Sequence, residues 1–218
     1  MLSCRITQRI LIALLLIAGC SSVSEKLESG KYRERREAIL TLAARLQEAE
    51  EGEITPQERE EILRPLRAAL GDSSPMVRSA AISSLGSVKD HVSIPRIAPF
   101  LQDGSWDVRL STTQALRVLG AKEHLPAIGE ILRNDSKAHC RREAARALGA
   151  FGLVEGVDAC LDGISEREPD QNVRYAAWMA LQSISGKKLP FRRSEWEAWR
   201  DEQRAVNEEP SEQEAPPQ

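Results

Sequence analysis

The 218-residue sequence predicts an all-α fold: about four helical hairpins stacked into an α-solenoid, a right-handed superhelix, with a capping helix at each end. A period is the first observation behind this. Sliding the sequence along itself aligns Val77-Arg78, Val108-Arg109, Cys140-Arg141 and Val173-Arg174, which are 31, 32 and 33 residues apart, the spacing of stacked helical repeats. The second is a stripe. Counted from the first residue of each pair, positions 0, +4, +8 and +11 read Val77, Ala81, Leu85, Val88, then Val108, Thr112, Leu116, Leu119, then Cys140, Ala144, Leu148, Phe151, then Val173, Ala177, Leu181, Ile184. Those offsets line one side of an α-helix. The third is composition: only 4% of the chain is aromatic and small residues fill the repeats, which suits closely packed helices.

The first nineteen residues stand apart from that pattern. Arg5 and Arg9 precede an uninterrupted apolar run from Ile10 to Ala18, too short for a permanent bilayer span and of the length of a secretory signal. The run ends in Ile17-Ala18-Gly19-Cys20, which resembles the bacterial lipobox. The resemblance implies diacylation of Cys20, acyl chains such as palmitate, cleavage before that residue and a membrane anchor for the mature chain. An ordinary signal peptide or an uncleaved anchor is the alternative. Ser21 and Ser22 follow instead of Asp, which under the enterobacterial sorting rule favours the outer over the inner membrane and a chain facing the periplasm.

Removing residues 1–19 discards two Arg and no acid, so the mature charge is 28 − 33 = −5, and the chain is a poor candidate for nucleic-acid binding. Of four cysteines, Cys4 leaves with the signal and Cys20 takes the lipid. Cys140 replaces the Val of its pair, and Cys160 aligns with Ile97 and Ile128 on the preceding helices. Both fall on core positions, where Cys acts as a small hydrophobe. A disulfide between them is left open, because pairing needs geometry.

Residues 20–30 read as a polar linker. Residues 31–52 read as an N-terminal capping helix, with Ala38, Ile39, Leu42, Ala43 and Leu46 at helical spacing. It has the look of a second helix whose first helix is missing. Its Arg33, Arg35 and Arg36 are expected on a solvated face, with lipid headgroups or a partner as the alternative. Thr55-Pro56-Gln57-Glu58 is a strong helix start, with Thr at the N-cap, Pro at N1 and Glu at N3.

From there residues 55–188 carry the repeats. An acid stands five residues before each pair, at Asp72, Asp103, Asp135 and Glu168, and Arg follows at Arg78, Arg109, Arg141 and Arg174. This D-x4-V-R-x2-A-x3-L pattern resembles the HEAT repeat family, in its short bacterial form related to the phycobilisome-lyase type. The resemblance implies a ladder in which acid and Arg link neighbouring repeats. Independently, an Asp in the turn can satisfy free N–H groups of the second helix, while an Arg one turn in reaches a neighbouring acid. Gly156 and Gly163 are expected to weaken the first helix of repeat four, and its longer turn predicts an irregularity at Glu166 to Asp170. Residues 189–206 form a C-terminal cap. Ser194 and Glu197 suggest a capping box, and Trp196 and Trp199 share a face that covers the last repeat. Residues 207–218 are expected to be disordered.

No catalytic pattern is found: G-x-S-x-G, Walker A, H-E-x-x-H and C-x-x-C are all missing. His91, His124 and His139 share no helical face, so neither a metal site nor a cofactor is expected, the grouping of His139 with Asp135 and a Cys being the weak exception. What remains is the surface opposite the buried stripe, at +2, +6 and +9. Leu110, Gln114, Arg117, Arg142, Arg146, Tyr175 and Met179 are the candidates there, with Ser79, Ser83, Gly86, Gly149 and Gln182 at the same offsets. Basic centre and apolar flanks suit an acidic or amphipathic peptide. The expectation is therefore a non-enzymatic, membrane-anchored scaffold that binds another envelope protein. An accessory to a protein-modifying enzyme, similar to chromophore-lyase repeat proteins, is the alternative.

Overall fold

A computed structural model describes residues 22–49 and 53–208, and within them every regular element is helical. The expected signal peptide with Cys20, and residues 209–218 of the expected disordered tail, lie outside the described residues. Residues 207 and 208, the first of that tail, belong to the last helix. The chain divides into two compact units, Met1–Leu119 and Gly120–Gln218.

The first unit begins with a short helix, α1 (22–28), inside the stretch expected to be a linker. It is followed by α2 (Tyr32–Glu48), which buries Ala38, Ile39, Leu42, Ala43 and Leu46. Then comes α3 (Pro56–Ala68), started by the Thr55–Glu58 capping box, in which the Thr55 hydroxyl accepts from the Glu58 N–H and the Glu58 carboxylate accepts from the Thr55 N–H. Helix α4 (Pro75–Ser87) packs on both α2 and α6 (Trp106–Leu119). Between them α5 is only four residues, Ile94–Ile97, and passes into a 3₁₀ stretch, Ala98–Gln102. Pro99 explains the change, since it has no N–H to give an α-helical bond.

The second unit contains two hairpins, α7 (Leu125–Asn134) with α8 (Ala138–Phe151) and α9 (Val157–Gly163) with α10 (Gln171–Ser185), and ends in α11 (Arg193–Glu208). The apolar stripe is the core of both units. Val77, Ala81, Leu85, Val88, Val108, Thr112, Leu116, Leu119, Cys140, Ala144, Leu148, Phe151, Val173, Ala177 and Leu181 are all buried, and Ile184 alone is half-buried. The hydroxyl of Thr112 donates to the Val108 carbonyl one turn back, which lets a polar side chain occupy a core position. Cys140 and Cys160 are free thiols on core positions, and burial pushes the Cys160 thiol up to about 12.

Three glycines account for how closely these helices pack. A Cβ on Gly86 would meet the Ala115 Cβ at 2.9 Å, one on Gly149 the Ala180 Cα at 2.9 Å, and one on Gly163 the Ala177 Cβ at 2.8 Å. Gly163 is therefore a contact that no larger residue fits. Gly86 and Gly149, expected on the open face at +9, are instead seams between successive second helices, α4 with α6 and α8 with α10.

Helix α11 closes the second unit. Trp196 and Trp199 are buried in edge-to-face contact, and the Trp196 indole N–H donates to the Pro190 carbonyl. Arg193 donates to the Leu161 carbonyl, while Arg200 and Arg204 both pair with Asp158. The helix thus runs antiparallel to α9. The expected capping box does not form: the helix begins at Arg193, one residue before Ser194, and the Glu197 carboxylate pairs with Arg193.

Candidate functional site

The repeat signature builds the frame that positions any surface site. In the first unit Arg78 donates Nε and Nη2 to the two carboxylate oxygens of Asp103, both at 3.0 Å, while its Nη1 donates to the Asp72 carbonyl. In the second, Arg141 does the same with Glu168, both at 2.7 Å, and with the Asp135 carbonyl. Arg109 reaches the Asp103 carbonyl likewise. Arg78 and Arg141 therefore each join their own turn to another acid.

The acids have a second task. Asp72, Asp103, Asp135 and Glu168 accept from the N–H two residues ahead, at Ser74, Ser105, Lys137 and Asp170. They pin the residue that precedes each helix instead of the helix's own first N–H groups. In repeat four, Asp170 takes that remaining role and accepts from Asn172 and Val173. Arg174 lies in the first turn of α10, the last such helix, and among the described residues its side chain takes no acid.

Arg35 extends the frame backwards. It donates Nε and Nη2 to Asp72 at 2.7 and 2.9 Å, and its Nη1 to the Ser29 carbonyl six residues earlier, the same offset as Arg78 to Asp72. Ser29 stands at the acid's position and accepts from the Lys31 N–H two residues ahead. So α1 and α2 are a shortened repeat with both helices present. Arg33 and Arg36 are exposed, as expected of a cap face, and Arg33 lies 5.9 Å from the Tyr32 ring.

On that frame the second unit carries a cleft that gathers several of the expected site residues. It holds about 420 Å³ between α8 and α10. Arg142 and Arg146, one helical turn apart, form its α8 wall, and Tyr175 and Met179, also one turn apart, form its α10 wall. Gly149, Ala150, Ala176 and Ala180 make a floor of small side chains, which is the same close approach that Gly149 enforces. Tyr175 is 57% exposed and Met179 44%, unusual for large apolar side chains on a packed helix. Arg146 is exposed, and Glu143 touches it at 3.6 Å, too long for a strong hydrogen bond.

An aromatic edge extends the α10 wall. Trp178 lies 5.6 Å from the Tyr175 ring and 5.8 Å from the half-exposed Phe191 ring, and its indole N–H donates to the Leu189 carbonyl. Trp178, Phe191, Asn172 and Ser183 are additions to the sequence reading. Trp178 fell between the offsets examined, and Phe191 comes from a segment with no helical register.

The other expected site residues are distributed as follows. In the first unit Gln114 is exposed and Leu110 and Arg117 are half-buried, all on α6. Ser79 is half-buried, its hydroxyl paired with that of Ser111 at 2.8 Å. Of the candidates, the structure therefore brings together Arg142, Arg146, Tyr175 and Met179. Among the described residues, no group of three or more His, Cys, Asp or Glu is placed to hold a metal, and no helix is long and apolar enough to cross a membrane.

Comparison with known proteins bears on the fold. A family profile described as HEAT repeats matches residues 22–117 and 125–190. Among solved structures, the chain is similar to the complex of CpcE and CpcF of phycocyanin lyase from Nostoc sp. PCC7120, with a TM-score of 0.61 and 20% identity over 76% of this chain. It spans only 64% of that chain's length. A designed armadillo repeat protein in complex with the peptide (KR)4 matches with a TM-score of 0.57 and 16% identity, covering 88% of this chain and 92% of the designed one. An engineered protein matches with a TM-score of 0.59 and 14% identity, over 88% and 89% of the two chains. At these identities the likeness is one of fold. No curated protein matches the sequence.

Proposed function

The chain belongs to the HEAT repeat family, and from that premise we propose a non-catalytic scaffold whose α8–α10 cleft binds an acidic, amphipathic segment of another cell-envelope protein. In this reading acyl chains on Cys20 hold it to a membrane, the outer more readily than the inner, with the repeats facing the periplasm. The observation that carries the binding reading is the division of the cleft into two walls, Arg142 and Arg146 against Tyr175 and Met179. A bound segment with acids along one side and apolar residues along the other meets both. The guanidiniums give direction and the exposed ring and thioether give contact area.

Binding is measured by fluorescence anisotropy on the chain from Ser21 onward. A fluorescein-labelled acidic peptide carrying leucines binds, and its counterpart with Lys for Glu does not. Arg142→Glu with Arg146→Glu weakens binding by ~tenfold or more. Unchanged affinity in the double variant removes the cleft from the account.

The alternative, an accessory to a protein-modifying enzyme, takes its motive from the likeness to the phycocyanin lyase chains, which at 20% identity extends to the fold. Covalent modification of a co-expressed protein, lost in the double variant, favours that role over simple binding.

A further inference from the structure

Sulfur gives one wall of the cleft a chemistry of its own. Of the three methionines, Met1 falls in the expected signal segment, and Met76 and Met179 lie on α4 and α10. Those two are 43% and 44% exposed, whereas Cys140 and Cys160 are fully buried. Burial also keeps the Cys160 thiol protonated, its ionisation pushed up to about 12, and a thiol attacks an oxidant as the thiolate. Among the described residues, the two thioethers are therefore the sulfur atoms that a dissolved oxidant meets. A thioether has no proton to lose first, so it reacts wherever it is exposed.

The two methionines differ in what surrounds them. Met76 stands in the first turn of α4, in the first unit, away from the cleft. Met179 forms the α10 wall with Tyr175, at the same offset from its repeat pair, +6, that Arg146 has on α8. To a bound amphipathic segment the thioether gives soft, adaptable apolar contact. Adding one oxygen makes that side chain polar and chiral. The sulfoxide oxygen accepts hydrogen bonds, and Arg146 on the opposite wall is an exposed donor whose contact with Glu143 is a long 3.6 Å. Oxidation thus removes apolar contact and engages one of the two guanidiniums that an incoming acid needs.

We propose that Met179 is an oxidation switch in the α8–α10 cleft: a hydroperoxide converts its thioether to the sulfoxide, and the cleft releases its acidic, amphipathic segment. This rests on the reading of the cleft as a peptide site. With hydrogen peroxide the products are the sulfoxide and water. A sulfur lone pair takes one peroxide oxygen, the O–O bond breaks, and the proton of the transferred oxygen joins the departing hydroxide. Sulfur loses the two electrons that the peroxide gains. Thiol-dependent sulfoxide reductases, one for each sulfoxide epimer, reverse the step. Because Met179 is outside the buried core, the change is local to the cleft wall and leaves the fold intact.

The test treats the chain from Ser21 onward with hydrogen peroxide, and Met76 serves as the internal control. Trypsin places Met76 in peptide 68–78 and Met179 in peptide 175–187, and fragment masses separate oxygen on Met179 from oxygen on Trp178. Met179 is expected to gain one oxygen at a rate comparable to that of Met76, which is equally exposed. The fluorescein-labelled acidic peptide is expected to bind the oxidised chain ~tenfold more weakly, and treatment with both reductases to restore binding. Met76→Leu is expected to show the same loss with an unchanged melting temperature. Met179→Leu keeps an apolar wall and is expected to bind alike before and after peroxide. A Met179 that stays reduced while Met76 oxidises, equal affinity before and after peroxide, or the same loss in Met179→Leu overturns the proposal and leaves the cleft reading standing. A melting temperature that falls on oxidation of Met76→Leu makes the loss damage to the fold and overturns it too. Failure of the peptide to bind the untreated chain overturns the cleft reading itself, and the proposal with it.

Discussion

Four second helices end in a left-handed residue, and in three of them it is glycine: Gly120, Gly152 and Gly186, with φ between 65° and 68°. The fourth is Lys89, at φ 56°. Its Cβ opposes that conformation by roughly 1–2 kcal/mol. Lys89→Gly is expected to raise stability by up to about 1 kcal/mol, since the glycine's freedom in the unfolded chain offsets part of the relief. Gly149→Ala takes the opposite sign. In an open helix it stabilises by about 1 kcal/mol, but here the new methyl meets the Ala180 backbone and is expected to cost about 1–3 kcal/mol. Thermal and urea unfolding of both variants check the pair. The acids act at the same scale. The hydrogen bonds from Arg35 hold the Asp72 carboxyl below the usual carboxylate range, against partial burial that raises it. For Asp90, burial pushes up most strongly, yet Arg67 and Ser93 together bring it down. A depressed carboxyl contributes stability above its unfolded value, about 4, and the contribution is lost as pH falls through the folded value. The melting temperature is therefore expected to fall below pH ~5, and Asp72→Asn to lower it at neutral pH while flattening that acid limb.

At the scale of the element, the contrast between α11 and α1 is instructive. The Trp196–Trp199 spacing marked α11 as a cover, and both rings are buried. Trp196 is fully buried, so Trp196→Ala is expected to cost about 3–5 kcal/mol and to speed hydrogen exchange in α9, the helix that α11 covers. Exchange confined to α11 itself would show that the cover does not stabilise the last repeat. Helix α1 left no comparable trace. Its seven residues contain few apolar side chains, and the Glu34-Arg35 dipeptide lacks the Val that identified the other pairs. The bonds from Arg35 to Asp72 and to Ser29 show that α1 and α2 form a repeat. Likewise Ser194 and Glu197 have capping-box spacing, but the helix starts one residue earlier, because Arg193 finds Leu161, Asp162 and Glu197.

For the whole molecule, the proposed anchor and the proposed binding site make separate demands. Cys20→Ala is expected to abolish incorporation of labelled palmitate and to release the chain from the membrane fraction, without altering the unfolding of the repeats. Retention of label in that variant would place the lipid elsewhere.

By itself the sequence determined the class of fold, the repeat register and nearly every core position. Each of these follows from local periodicity: a helix buries whatever recurs at its own pitch, and a turn uses an acid at a set distance from the next helix. Tertiary structure decided the rest, because it depends on how near one helix comes to another. The close approach of Ala115 and Ala180 makes offset +9 a seam at Gly86 and Gly149, while the same offset is a half-exposed side chain at Arg117. That approach also opens the cleft beside Arg142, Arg146, Tyr175 and Met179. Its shape belongs to the distance between two helices, a quantity that the order of residues along either helix does not contain.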